Sequence, residues 1–155
     1  MTISSVKCNN RRKGFTVVSG NSEWWYPYTE LEEKPAQGDR IVAVYPDPEL
    51  GGQGFTYVLQ SGRNGCVLMD QVLEYNRDPA YMRDLILYKL TLEVRRILKD
   101  CRLSRREIIR RLGTSASQFY RLLDQTNYRK TVDQMLLLLS VLNCSVDVRV
   151  SVRCA

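Results

Sequence analysis

Hydrophobic positions along the chain change their spacing twice. Up to Asp70 they fall in short runs rich in Val, Ile, Tyr, Phe and Trp, at residues 14–19, 23–28, 40–45, 55–60 and 65–69. Turn-forming clusters separate them, among them Pro46-Asp47-Pro48, Gly51-Gly52-Gln53-Gly54 and Ser61-Gly62-Arg63-Asn64-Gly65. Runs of this length and composition, bounded by Gly, Pro and Asn, predict strands. A small antiparallel β unit is therefore expected, with Asn64-Gly65 as a tight hairpin turn because both residues tolerate positive φ. Beyond Asp70 the period becomes helical and stays so to about Leu142. The end of the chain alternates Val146, Val148, Val150 and Val152 with Asp147, Arg149, Ser151 and Arg153, the period of a strand with one apolar face. The predicted class is α+β: an N-terminal antiparallel β unit, a helical domain and a C-terminal β-strand.

Helix starts are written into the second half. Asp78-Pro79 combines a capping carboxylate with a proline suited to the first helical position. Apolar residues then recur at Met82, Leu85, Ile86, Leu90, Val94, Ile97 and Leu98, predicting one long helix or two abutting ones to about Lys99. Three capping boxes follow, Ser104 with Glu107, Ser115 with Gln118 and Thr131 with Gln134, each heading an apolar-periodic segment. Helices are expected over residues 105–112, 116–123 and 132–142, with a turn at residues 113–115. Two short helices joined through Gly113 form the pattern of a helix-turn-helix.

The stretch from Leu103 to Leu123, Leu-Ser-Arg-Arg-Glu-Ile-Ile-Arg-Arg-Leu-Gly-Thr-Ser-Ala-Ser-Gln-Phe-Tyr-Arg-Leu-Leu, resembles the DNA-binding module of the lambda-repressor-like, Cro/repressor-type (XRE-like) family. The resemblance covers roughly Leu90 to Leu142, about a third of the chain. Ile109 and Phe119 are larger than the residues usual at those places. The resemblance implies a lambda-repressor-like helical domain whose second helix lies in the major groove. Ala116, Ser117, Gln118, Tyr120 and Arg121 are then the expected base readers. Gln suits adenine, Arg suits guanine and Ala suits a thymine methyl. Arg105 and Arg106 at a helix N-terminus, and Asn127, Tyr128, Arg129, Lys130 and Thr131 before the next helix, are the expected phosphate contacts.

Charge sharpens this division. The 155 residues carry 23 Lys and Arg against 17 Asp and Glu, a formal +6. Residues 1–13 hold Lys7, Arg11, Arg12 and Lys13 and no acid, a net +4, and are expected as a basic tail, idle or an arm on DNA. Residues 14–77 form an acidic β-rich domain of open role. Residues 78–155 form the helical domain, and the segment from Arg83 onward carries fifteen basic residues against seven acidic ones. The aromatics Trp24, Trp25, Tyr26, Tyr28, Tyr45 and Tyr57 are expected mostly as core, with a binding patch the other reading.

Absences exclude much chemistry. The chain has no His, which removes the commonest general base and imidazole metal sites. Its five cysteines, Cys8, Cys66, Cys101, Cys144 and Cys154, are odd in number and form no Cys-x-x-Cys pair. No Gly-rich phosphate loop is present. No enzyme, catalytic residue, cofactor or metal is expected, and neither a signal segment nor a membrane span is read, so a cytoplasmic location is expected.

The expected function is a sequence-specific, repressor-like transcriptional regulator that binds double-stranded DNA as a homodimer. Dimer contacts are expected from the apolar helix 132–142, the C-terminal strand or the β unit. The alternative is an antitoxin of a toxin-antitoxin pair, which would neutralise a basic, toxin-like protein partner through the acidic β domain, where Glu30, Glu32 and Glu33 cluster, and would autoregulate its operon.

Overall fold

The computed structural model describes residues 1–152. The chain divides into two compact units, Met1–Met82 and one that begins at Arg83. Each has its own hydrophobic core.

The first unit holds β1 (Ser5–Asn9), β2 (Gly14–Ser19), β3 (Ser22–Pro27), β4 (Ile41–Pro46), β5 (Gly54–Leu59) and β6 (Asn64–Leu68), followed by α1 (Met69–Asn76). They form two antiparallel three-stranded sheets, β1-β2-β3 and β4-β5-β6. The central strands β2 and β5 both begin Gly-Phe-Thr and bury the same alternate positions. Their Phe15 and Phe55 rings are wholly buried and meet edge to face at 4.9 Å, so the two sheets share one core. Burying a side chain of this size stabilises by roughly 1.5–3 kcal/mol. Tyr26, Tyr28 and Tyr57 are core, as expected, whereas Trp24 and Trp25 are half-buried and Tyr45 is exposed.

Two expectations change here. Residues 1–13 are not a loose tail: Val6 is buried, β1 pairs with β2 from Ser5↔Val18 to Asn9↔Gly14, and the Asn9 carboxamide accepts the N–H groups of Arg11 and Arg12 in the turn. The dense positive charge at residues 11–13 marks a hairpin tip, with the Arg12 guanidinium 4.6 Å from the centre of the Trp25 ring. The β5–β6 turn, moreover, sits at Ser61-Gly62 rather than Asn64-Gly65. Gly62 takes φ +90°, and Leu59 N–H donates to the Arg63 carbonyl at 2.8 Å. Asn64 and Gly65 are strand residues opposite Val58 and Tyr57, and Gly65 is tight because the Tyr57 ring occupies the space a Cβ would need.

Helices follow their start signals closely. α2 (Pro79–Lys99) begins after Asp78, whose carboxylate accepts the Tyr81 N–H at 3.1 Å. α3 (Arg105–Leu112), α4 (Ala116–Leu123) and α5 (Val132–Val141) complete the second unit. Its core gathers Leu87, Val94 and Leu98 of α2 with Ile108, Phe119, Leu122, Met135, Leu138 and Leu139. The larger residues at 109 and 119 are accommodated: Phe119 is wholly buried and Ile109 packs against the same cluster.

The expected C-terminal strand is not formed. Residues 145–152 pair with no strand among the described residues, and Val148, Val150 and Val152 are 85%, 88% and 90% exposed. A strand exists through its neighbour's hydrogen bonds, and one copy of the chain supplies none here. Arg153, the last residue of the expected alternation, lies outside the described residues.

Candidate nucleic-acid interface

Local chemistry fixes the α3–α4 pair. The Ser104 hydroxyl accepts the Glu107 N–H at 3.1 Å, the Ser115 hydroxyl accepts that of Gln118 at 3.2 Å, and the Thr131 hydroxyl accepts that of Gln134 at 3.2 Å. All three caps are therefore present. Only the last is reciprocal, with Gln134 Oε1 accepting the Thr131 N–H at 2.9 Å. Between α3 and α4, Gly113 turns the chain at φ +65°, a conformation that favours glycine, and its N–H donates to the Arg110 carbonyl at 3.1 Å.

α4 is sharply two-faced. Phe119 and Leu122 are buried, while Ala116, Ser117, Gln118, Tyr120 and Arg121 are all exposed. The five expected base readers therefore share the solvent side of one eight-residue helix. Tyr120 is 55% exposed, although its ring also lies edge to face with Phe119 at 5.3 Å.

A groove on each side of that face extends the surface. One, of about 560 Å³, is lined by Gln118, Arg121, Asn127, Arg129 and Gln134 among others, and joins α4 to the loop before α5 and to the α5 N-terminus. The other, of about 370 Å³, is lined by Arg95, Lys99, Arg105 and Tyr120 with Leu98, Leu123 and Asp124. Arg95 and Lys99 on the last turns of α2 were missed from sequence. Their signal was weak, because basic residues near a helix C-terminus are already favoured by the helix dipole.

The expected phosphate contacts divide into free and engaged groups. Arg105 and Arg106 stand exposed on the first turn of α3, and Tyr128, Arg129 and Thr131 are exposed in the loop and cap. Arg105, Arg106, Arg121 and Arg129 form no ion pair among the described residues. Asn127 is half-buried and organises the loop: its Nδ2 donates to the Arg121 carbonyl at 3.1 Å and its Oδ1 accepts the Arg129 N–H. Arg110 and Arg111 both hold Glu107, at 2.6 and 2.9 Å, and these bonds pull the Glu107 carboxyl from 4.5 down to about 2.

Lys130 corrects an expectation. It is only 5% exposed, and its ammonium donates to the carbonyls of Leu122 at 2.9 Å and Asp124 at 2.7 Å. These are carbonyls at the end of α4, which a cation satisfies well. Burial lowers the Lys130 pKa, with the nearby Asp124 charge opposing the shift. Lys130 therefore closes the helix and is not presented to a phosphate.

No group of three or more Cys, Asp or Glu side chains suited to a metal occurs among the described residues. Cys8, Cys66, Cys101 and Cys144 are free thiols. No helix among the described residues is long and apolar enough to cross a membrane. Comparison with protein-family models, with curated proteins and with solved structures finds no match to this chain.

Proposed function

We propose that the protein is a sequence-specific DNA-binding transcriptional regulator of the repressor type, in which α3, the Gly113 turn and α4 act as a helix-turn-helix. The observation that carries this reading is the exposed face of α4, where Gln118 and Arg121 line one groove with the unpaired Arg129 and Tyr120 lines a second with the unpaired Arg105. A helix of this size fits the major groove, and Gln118 and Arg121 can each bond a base edge in two places. Arg105 and Arg106, at a helix N-terminus whose N–H groups also suit an anion, would hold one phosphate strand. Arg129 and Thr131, with Tyr128, would hold the other, while Arg95 and Lys99 widen the basic border. One such unit makes few contacts, so a homodimer on paired half-sites is the working form.

The test is footprinting and gel-shift titration with DNA from upstream of the protein's own gene, at several salt concentrations. A specific, salt-sensitive complex is expected. Replacing Gln118 and Arg121 together by Ala should cost about 1–3 kcal/mol of discrimination per lost base contact while leaving nonspecific binding largely in place. Either no specific complex from the wild type, or a complex indifferent to the double substitution, overturns the reading.

The antitoxin alternative draws less from the structure. Glu33 is held by Arg63 at 2.6 Å, and the four cations of residues 1–13 belong to the same unit as the acidic cluster. Glu30 and Glu32 remain exposed for a basic partner. Stable co-purification with such a partner, lost in Glu30→Lys with Glu32→Lys, would favour that alternative.

A further inference from the structure

Residues 145–152 present an unusual surface: they pair with no strand among the described residues, and along the sequence valines alternate with polar and charged residues. Their exposure rises from 42% at Val146 to 85–90% at Val148, Val150 and Val152. An unpaired apolar strand is a template for another strand and is normally blunted by charge, proline or a cover. This one carries no proline, and the charges it has are of both signs, Asp147 and Arg149. The remaining question is which strand fits.

We propose that residues 144–152 pair antiparallel with the same residues of a second copy of this chain, about a two-fold axis at Val148, and that this ribbon is the dimer interface. The charge pattern selects both the partner and the register. For every valine to stay on one face, opposed residues must have the same parity, because side chains alternate along a strand. Centring the axis on Asp147 opposes Asp147 to its own copy, and centring it on Arg149 does the same for arginine. Like charges directly opposite destabilise a pair. Centring it on Val148 places Asp147 opposite the partner's Arg149 on both sides of the axis. The same register sets Val146 against Val150, Val148 against Val148, and Ser145 against Ser151. Centring it on Val150 instead leaves Arg149 opposite Ser151 and gives Asp147 only Arg153, outside the described residues, so Arg149→Asp would then bring no like charges together.

Two short strands alone are marginal in water, so the valine face needs further cover. The same unit leaves Leu136 and Leu137 of α5 exposed at 40% and 53%, which is apolar surface of the right kind. The ribbon goes beyond the DNA-binding reading and does not depend on it, because association is measured without DNA. A two-fold axis would, however, relate two α4 helices in the way that a palindromic site requires.

The experiment is light-scattering mass measurement of the full chain without DNA, on wild type, Asp147→Arg, Arg149→Asp and the double reversal. Wild type should have twice the 18.0 kDa chain mass. Each single reversal puts like charges opposite each other at both ends and should raise the dimer dissociation constant at least tenfold. The double reversal restores opposite charges and should recover the dimer. Val148→Asp should give monomer with unchanged thermal unfolding of the β unit, since Val148 is exposed and outside both cores. A monomeric wild type overturns the proposal, as does a dimer indifferent to Val148→Asp. Loss of the dimer in the single reversals without recovery in the double reversal overturns the register.

Discussion

The two units pair arginine differently. In the β unit Arg63 bridges Glu33 and Asp39, and Arg12 lies over the Trp25 ring. In the helical unit the ion pairs are local, Arg83 with Asp84, Arg96 with Glu93, and Arg110 and Arg111 with Glu107, while Arg105, Arg106, Arg121 and Arg129 have no ionic partner among the described residues and Lys130 turns inward. A guanidinium that already holds two carboxylates has little left to offer a ligand. Four unpaired ones on a single small unit leave positive potential unquenched, which draws polyanions. Total charge is thus a poor guide to binding, and the positions of the cations without internal partners are a better one.

The most forceful way to break the comparison is to empty one core at a time. Phe55→Ala and Phe119→Ala each remove a wholly buried ring, and each should cost about 3–5 kcal/mol. Because the cores are separate clusters, calorimetry should show two unfolding transitions, with Phe55→Ala lowering one and Phe119→Ala the other. A single transition lowered equally by both would mean the units unfold as one.

A finer test separates structural from ligand-facing cations within one loop. Lys130→Met should destabilise the helical unit by about 1–3 kcal/mol, since it leaves the carbonyls of Leu122 and Asp124 without their donor. Its neighbour Arg129→Ala should leave thermal unfolding within about 0.5 kcal/mol of wild type. If Arg129 meets a phosphate, that substitution also reduces the salt slope of DNA binding by about one ion.

The smallest effect is in acid. Glu107 has its pKa drawn down to about 2 by Arg110 and Arg111, so its ion pairs contribute stability above about pH 4.5. That contribution fades as pH falls from 4.5 toward 2. Asp39 is likewise lowered, chiefly by Arg63, and Asp124 by its bonds from Thr126, so both units carry such acid-sensitive groups. Glu107→Gln should flatten the acid limb of the melting curve for the helical unit alone. The pairs are solvent-exposed, which keeps the change slight.

Much of this was legible in the chain itself where local chemistry decides. Ser104, Ser115 and Thr131 announced three helix starts because a cap is made by residues three apart. The alternation of residues 14–19 and 55–60 likewise located the two central strands to within a residue. What escaped depended on distant partners. β1 was hidden because Arg11, Arg12 and Lys13 look like a solvated tail until Val6 is seen buried and paired across from Val17. Lys130 was placed outside because lysine is rarely buried, and only the end of α4 supplies the carbonyls that allow it. Asn64-Gly65 lost the turn to Ser61-Gly62 because strand register, set by Phe55 and Val67 in the core, outranks local turn preference. Residues 145–152 had a strand's period without a strand's neighbour.

Both tryptophans of the chain, Trp24 and Trp25, lie side by side on β3, and the helical unit has none. Trp25 is held between the backbone of Gly14 and the guanidinium of Arg12. Its indole emission is therefore a built-in optical probe of the β unit alone. Far-ultraviolet circular dichroism is weighted toward the helices, so each unit can be followed in the intact protein without a label.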